Sequence, residues 1–265
     1  MRFENSTRAF CALLSFVVVP LHAEEFNIPG TGDGMEIVKA LAAAFLVENP
    51  QTLVNIPVST GSGGGVAAVG TGSAIMGRVA RSLTESERAQ GIRLTPVFNV
   101  PSAIFVNPAA KIKELSYQQL RAIYAGEITN WQEIGGPDLK IKIVRRENED
   151  STLTALRANM PGWKDLVISP RSKTDVTTQD AIGSVRDTAG AIGFGPFTNA
   201  LGEGIAVLKI EGRDPTKPNY PSAVQVSFIF KDAVLNPGAQ AFMEFVRTTK
   251  AKALISSLGA TPAGE

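Results

Sequence analysis

Phe26-Asn27-Ile28-Pro29-Gly30-Thr31-Gly32-Asp33-Gly34 joins a short apolar run to a proline and three alternate glycines. The run reads as a strand and the glycines as a tight loop. Beyond them Ile37, Leu41, Ala44 and Phe45 recur at helical spacing until Asn49-Pro50 stops the helix. Asp33, with Glu36 three residues on, has capping-box spacing and is expected to open that helix. The pattern then repeats. Val54, Ile56 and Val58 alternate as a strand does, and Ser59-Thr60-Gly61-Ser62-Gly63-Gly64-Gly65 leads into a helix at Val66 to Val69. Ala74-Ile75-Met76 reads as a buried strand ending at Gly77-Arg78-Val79-Ala80-Arg81. Successive strand, glycine-loop and helix units indicate an α/β architecture with a largely parallel sheet. Ligands of such sheets sit beyond the carboxyl ends of the strands, where these loops lie.

Neither glycine loop is a nucleotide motif, since the dinucleotide spacing and the P-loop lysine are both missing. Glycines let backbone amides approach a ligand, and successive N–H groups form an anion-holding concavity. Tight turn packing explains each loop equally well alone. A third loop adds charge. The strand with Ile141, Ile143 and Val144 ends in Arg145-Arg146-Glu147-Asn148-Glu149-Asp150-Ser151-Thr152, and a helix opens at Asp150 to Leu153. Asp, Ser and Thr cap helix N-termini, whose partial positive charge attracts anions. Arginine adds a planar fork suited to phosphate or carboxylate. Three carboxylates in the same loop oppose a simple anion site, and by itself the loop also fits an ordinary connection with surface charges.

The N-terminus stands apart. Arg2 and Arg8 precede an apolar run from Ala9 to Pro20, and Leu21-His22-Ala23 precedes Glu24-Glu25. This pattern predicts a secretory signal cleaved after Ala23. The run is shorter than the roughly 20 residues of a membrane span. Cys11 lies at its start, not where a lipoprotein cleavage site needs it. Loss of residues 1–23 removes the only Cys and the only His. Ser-His-Asp catalysis, Cys-His catalysis and the usual zinc sites are thereby excluded from the mature chain. Removing Arg2 and Arg8 from 26 bases, and Glu4 from 25 acids, leaves 24 of each. A mature chain of zero net charge lacks the basic footprint of nucleic-acid binding.

Two extended stretches, Pro101 to Val106 and Pro221 to Phe230, flank a block of about 115 residues. That is a comfortable domain size. Two lobes are expected, residues 24–102 plus 226–265 and an inserted 103–225, joined by hinge strands near 101–106 and 221–230. Inside the block, Ser116 and Gln119 form a capping box for a helix from Tyr117 to Tyr124. Thr177 or Thr178 caps a later helix that ends near Gly190, before the strand Ala191-Ile192-Gly193-Phe194. Asn236-Pro237 opens a helix presenting Phe242, Phe245 and Val246, and a last helix ends at Leu258-Gly259.

Taken together, four segments resemble the periplasmic phosphate-binding proteins, the solute receptors of phosphate ABC transporters. They are Gly30-Thr31-Gly32, Ser62 to Gly65, Leu115 through Gly126-Glu127-Ile128-Thr129-Asn130-Trp131, and Gly190 to Phe194. Phe230-Lys231-Asp232 to Phe245 and Leu258-Gly259 also fit, so the resemblance spans the mature chain in order. It implies a two-lobed type II periplasmic binding protein fold, each lobe a mainly parallel sheet flanked by helices, joined by two hinge strands. It implies a periplasmic receptor, monomeric and without catalysis, cofactor or metal, that passes phosphate or a related oxyanion to a membrane ABC permease. The family's anion contacts map onto Thr31 and Gly32, then Ser62, Gly63 and Gly64. From the other lobe come Arg146, Asp150, Ser151 and Thr152, with Arg81 added as a nearby cation.

Two departures stand out. Ala80, between Arg78 and Arg81, occupies the place of a polar or acidic residue that accepts the phosphate proton. Glu149-Asp150-Ser151-Thr152 replaces a Gly-Ser-Gly-Thr cradle. Losing the acceptor favours a more fully ionised or larger anion. Asp150 is expected to cap its helix while Arg146, Arg78 or Arg81 neutralises the ligand. The alternative is a sensor, surface or matrix module with the same fold and an altered site. A third reading, Glu147, Glu149 and Asp150 holding Mg²⁺ or Ca²⁺ for phosphoester hydrolysis, competes with a plain solvated turn.

Overall fold

The first glycine loop joins strand β1 (Glu24–Asn27) to helix α1 (Met35–Glu48). Asp33 does not cap that helix. The N-cap is Gly34 in the left-handed region at φ 63°, with no side-chain cap bond. A Cβ there would lie 2.6 Å from the Phe98 ring, so only glycine fits this turn. Strand β2 (Thr52–Asn55) stops short of Val58, which is 80% exposed. Helix α2 (Gly61–Thr71) starts five residues before the expected Val66, inside the glycine loop itself. Glycine is a poor helix former, and here close packing overrides propensity. A Cβ on Gly65 would stand 2.9 Å from the Arg78 carbonyl oxygen and 3.0 Å from Gly30 Cα.

Strand β3 (Met76–Val79), the short helix α3 (Glu85–Ala89) and the 14-residue strand β4 (Arg93–Val106) follow. After strand β5 (Glu114–Leu115), helix α4 (Tyr117–Ala125) opens with the expected Ser116–Gln119 capping box, both arms present. Strand β6 (Lys142–Arg146) leads to α5 (Ser151–Asn159), and β7 (Lys173–Asp175) to α6 (Thr178–Arg186). Thr177 is the α6 cap. Strands β8 (Ala191–Pro196), β9 (Ala206–Val207), β10 (Lys209–Ile210) and β11 (Ala223–Phe230) precede α7 (Pro237–Phe245), α8 (Thr249–Ser257) and β12 (Thr261–Pro262). This computed structural model describes residues 24–197, 204–217 and 219–264. The expected signal, residues 1–23, lies outside them.

The main sheet has the order β3-β11-β4-β8-β6-β7, with β9 and β12 also on β4. Parallel pairing occurs where strand, loop and helix alternate: β1 with β2, and β6 with both β7 and β8. The expectation of mainly parallel sheets is corrected at the long strands. Strand β4 pairs antiparallel with β11 and β8, and β11 antiparallel with β3, so the whole is mixed. The reason is geometric, since β4 and β11 run between the two halves in opposite directions.

Two cores result. One packs Phe26, Ile37, Phe45 and Phe98 with Phe228, Phe242 and Ile255 from the chain's end. The other gathers Ile104, Tyr124, Trp131, Leu153, Trp163, Phe194 and Ile210 from the middle. Edge-on rings tie each together: Phe45 and Phe242 centroids are 5.3 Å apart, Trp163 and Phe194 5.8 Å. Such pairs add about 0.5–1.5 kcal/mol beyond the area they bury. Trp131 donates its indole N–H to the Gly190 carbonyl at 3.0 Å, anchoring the loop after α4 to the turn before β8. Between the cores, the Ser102 N–H donates to the Ser222 carbonyl at 2.8 Å.

Candidate functional site

Loops that follow the carboxyl ends of β1, β2, β3, β6 and β7 open on one cleft of about 430 Å³. The volume lies in the range of small-molecule pockets, roughly 300–1,000 Å³. Four helices start at its wall. Asp33 precedes α1, Gly61 to Gly63 begin α2, Asp150 and Ser151 begin α5, and Thr177 and Thr178 begin α6. Each helix start carries a partial positive charge of roughly half a unit. Asp150 and Thr177 cap α5 and α6, whereas α1 and α2 have no side-chain cap. At the start of α2 the Gly61 N–H donates to the Ser59 hydroxyl at 3.3 Å, and the N–H groups after it lack intrahelical partners at the cleft.

Of the sequence-predicted site residues, Thr31, Gly32, Ser62, Gly63, Arg81, Arg146, Asp150 and Ser151 all line this cleft. Their free groups differ. The Thr31 N–H is committed to the Arg78 carbonyl at 3.0 Å, and its hydroxyl oxygen accepts from the Asp33 N–H at 3.2 Å. The Ser62 hydroxyl accepts from the Ala80 N–H at 3.0 Å. Both hydroxyls keep a proton to donate. Gly64 and Thr152 are corrections, since neither lines the cleft. A Cβ on Gly64 would sit 2.5 Å from the Thr60 hydroxyl oxygen, so this glycine makes room within α2. Thr152 is buried, its hydroxyl without a partner.

The arginines are held in three ways. Arg78 is fully buried and donates to the carbonyls of Thr31, Ile28 and Pro57, beneath the first loop. It stitches the loop and does not line the cleft. Arg81 forks onto Glu87 at 2.8 and 2.9 Å, and this pairing holds the Glu87 carboxyl down to about 2. Arg146, 8% exposed, donates to the carbonyls of Asp175 and Val176 and, at 2.8 Å, to the Thr178 hydroxyl. It also pairs with Asp150 at 3.0 Å.

Asp150 does cap its helix, accepting from the Leu153 N–H at 3.0 Å. It is at once the counter-ion of Arg146. Burial pushes its carboxyl up while Arg146 pulls it down, and burial prevails. Ala80 is buried and does not line the cleft. Besides Asp150 and the exposed Glu147 and Glu149, the cleft is lined by Asp33, 2% exposed, which the sequence reading had taken as a helix cap. Burial first, then the Asp150 charge, push it up to about 6, against Arg146 and the Ser151 and Thr178 hydroxyls. Its position two residues after Thr31, among glycines, was the available signal.

A second cavity of about 450 Å³ has Lys140, Lys142, Arg171 and Lys173 around Ile128, Ile141 and Ile143. It meets α4 at Gly126, the helix's negative end, and its cations are exposed. In the first cleft, by contrast, Arg146 is buried and held by three hydrogen bonds. Among the described residues, no group of three or more His, Cys, Asp or Glu is gathered to hold a metal ion, and no helix is long and apolar enough to cross a membrane.

Residues 22–249 match the PBP superfamily domain. The chain is 30% identical over 202 residues to the phosphate-binding protein PstS of Bacillus subtilis (strain 168), covering 73% of this chain and 64% of that protein. It is 31% identical over 158 residues to PstS of Borreliella burgdorferi, covering 54% of each. The alignments thus span 54 to 64% of these relatives' own length. Among solved structures, an ABC-type phosphate transport receptor from Vibrio cholerae has a TM-score of 0.63 at 25% identity, covering 90% of this chain and all of that one. A phosphate-bound structure from Clostridium perfringens has a TM-score of 0.81, covering 91% of this chain and 100% of that one; at 22% identity it speaks for the fold.

Proposed function

The chain belongs to the PBP superfamily, and from that premise we propose that it is an extracytoplasmic receptor for an inorganic oxyanion, phosphate foremost. The observation that carries this reading is the convergence of four helix N-termini on one cleft that also holds Arg146. The Ser62 and Gly63 N–H groups at the uncapped start of α2 and the Thr31 and Ser62 hydroxyls supply donors that match an acceptor-rich tetrahedral ion. Residues 24–102 with 226–265 form one lobe and 103–225 the other. Hinge bending about β4 and β11 closes them over the anion, and the closed monomer presents it to a membrane ABC permease. No covalent step is required. The relatives named for phosphate binding and the phosphate transport receptor support the choice of ligand.

The test is calorimetry and thermal melting of ligand-stripped protein with phosphate, sulfate and molybdate. Binding raises the melting temperature by mass action, about 2.7 kcal/mol of added stability at 100 times Kd. One observation favours a second reading, a non-transport module. Both cleft-lining arginines already have carboxylate partners, Arg146 with Asp150 and Arg81 with Glu87. No shift with any of these anions would overturn the receptor reading in favour of that one.

A further inference from the structure

Among the described residues, Asp33 is the buried cleft carboxylate whose charge no cation directly answers. Its Oδ1 faces the Thr178 hydroxyl at 3.3 Å, and its Oδ2 is buried without a hydrogen-bond partner. Arg146 donates to the same Thr178 oxygen at 2.8 Å. Thr178 has a single proton, so with its lone pair engaged by Arg146 that proton points to Asp33. The order Arg146, Thr178, Asp33 is a donor relay that ends at a carboxylate in the cleft wall. Every packed element adds its group: Asp150 and Ser151 from the start of α5, Arg146 from β6 and Thr178 from α6. Glu147 and Glu149 lie along the cleft, and Arg81 on its other wall is forked onto Glu87.

An incoming anion therefore meets two buried carboxylates, of which Arg146 answers one. A bare carboxylate within about 4–6 Å of a bound anion repels it. Resting on the receptor reading, we propose that the cleft takes up its oxyanion together with one solvent proton, which resides on Asp33 Oδ2. Neutral Asp33 then donates a hydrogen bond to an unprotonated oxygen of the anion. The electrostatics run the same way. In the empty cleft, burial and Asp150 already push this carboxyl up to about 6, and a further negative charge pushes it higher. The site consequently suits anions that only accept hydrogen bonds, such as sulfate, as well as phosphate through its unprotonated oxygens. A site whose carboxylate stays charged and takes a proton from the ligand would reject sulfate.

Sulfate is the informative probe because it does not itself titrate near neutrality. Calorimetry of the whole protein with sulfate at pH 7.5, in buffers of different ionisation enthalpy, should return uptake of close to one proton per anion. Sulfate affinity should fall by nearly tenfold for each pH unit from 7 to 8.5. Asp33→Asn, a neutral donor of the same shape, should keep sulfate binding while losing both the proton uptake and the pH dependence. Lys142→Glu in the second cavity should leave the titration as it is. Phosphate binding with sulfate rejected, or sulfate binding without proton uptake, overturns the inference and leaves the receptor reading standing. Absence of binding by any anion at pH 5.5 and 7.5 overturns both.

Discussion

Asp33 ties stability to pH as well as to ligand. Its carboxyl ionises near 3.8 when unfolded and is raised to about 6 in the fold. Between those values the folded chain holds a proton that the unfolded chain has released, so stability falls as pH rises through this window. The empty wild-type protein should lose on the order of 3 kcal/mol relative to Asp33→Asn between pH 4 and pH 7. Urea midpoints of the two proteins across that range measure the difference, and parallel curves would show that Asp33 is not strained. Glu87, held down to about 2 by Arg81, adds a loss at lower pH that both proteins share. The residue types at the cleft were legible in the sequence: glycines, hydroxyls and an arginine before a capped helix. Their pairing was not. Arg146 and Asp150 are four residues apart, but which carboxylate faces Arg146 depends on the path of residues 147–149. Asp33 was misread because a left-handed Gly34 intervenes between it and α1, and only the Phe98 ring beside that glycine reveals why.

At the scale of elements, α5 combines two duties in one side chain. Asp150 satisfies the Leu153 N–H and neutralises Arg146. Asparagine caps a helix about as well as aspartate, so Asp150→Asn separates them. The variant should lose about 1–2 kcal/mol of stability, because Arg146 keeps its two carbonyls and the Thr178 hydroxyl. Its oxyanion affinity should rise by about tenfold, since one pKa-unit equivalent of repulsion, about 1.4 kcal/mol, leaves the cleft. Weaker anion binding in this variant would mean that Asp150 contributes to recognition directly. Capping boxes such as Ser116–Gln119 were legible because all their atoms lie within one turn. The start of α2 was not, because glycines in a helix are tolerated there by the closeness of Gly65 to Gly30 and the Arg78 carbonyl, a contact between distant segments.

For the whole molecule, the two similar extended stretches led to the expectation of a chain that crosses between halves twice; β4 carries residues of both cores, and β11 pairs antiparallel along it. The antiparallel pairing between them was hidden, because alternation along a strand says nothing about the direction of its neighbour. Gly193 illustrates the same limit. It was read as part of a strand, as it is in β8, but that reading could not show that it clears space for Val185 and the Phe105 ring, 2.7 and 3.0 Å from where a Cβ would stand.

The route of the chain also sets an order of assembly. The core around Tyr124, Trp163 and Phe194 is drawn from residues 104–210, whereas the core around Phe45 joins residues near 26–100 to residues 226–260. Closing contacts across such a gap costs loop entropy and slows their formation. During emergence from a ribosome or a translocation pore, the middle unit is complete while the N-terminal helices still wait for the last forty or so residues. Pulse-labelled hydrogen exchange during refolding should find amides near Tyr124 and Phe194 protected before those near Phe45 and Phe228. The reverse order, or one concerted phase, would contradict it. In this chain the half that finishes last is the half made first, and a chaperone that shields Phe26, Phe45 and Phe98 until Phe242 arrives would have a defined period in which to act.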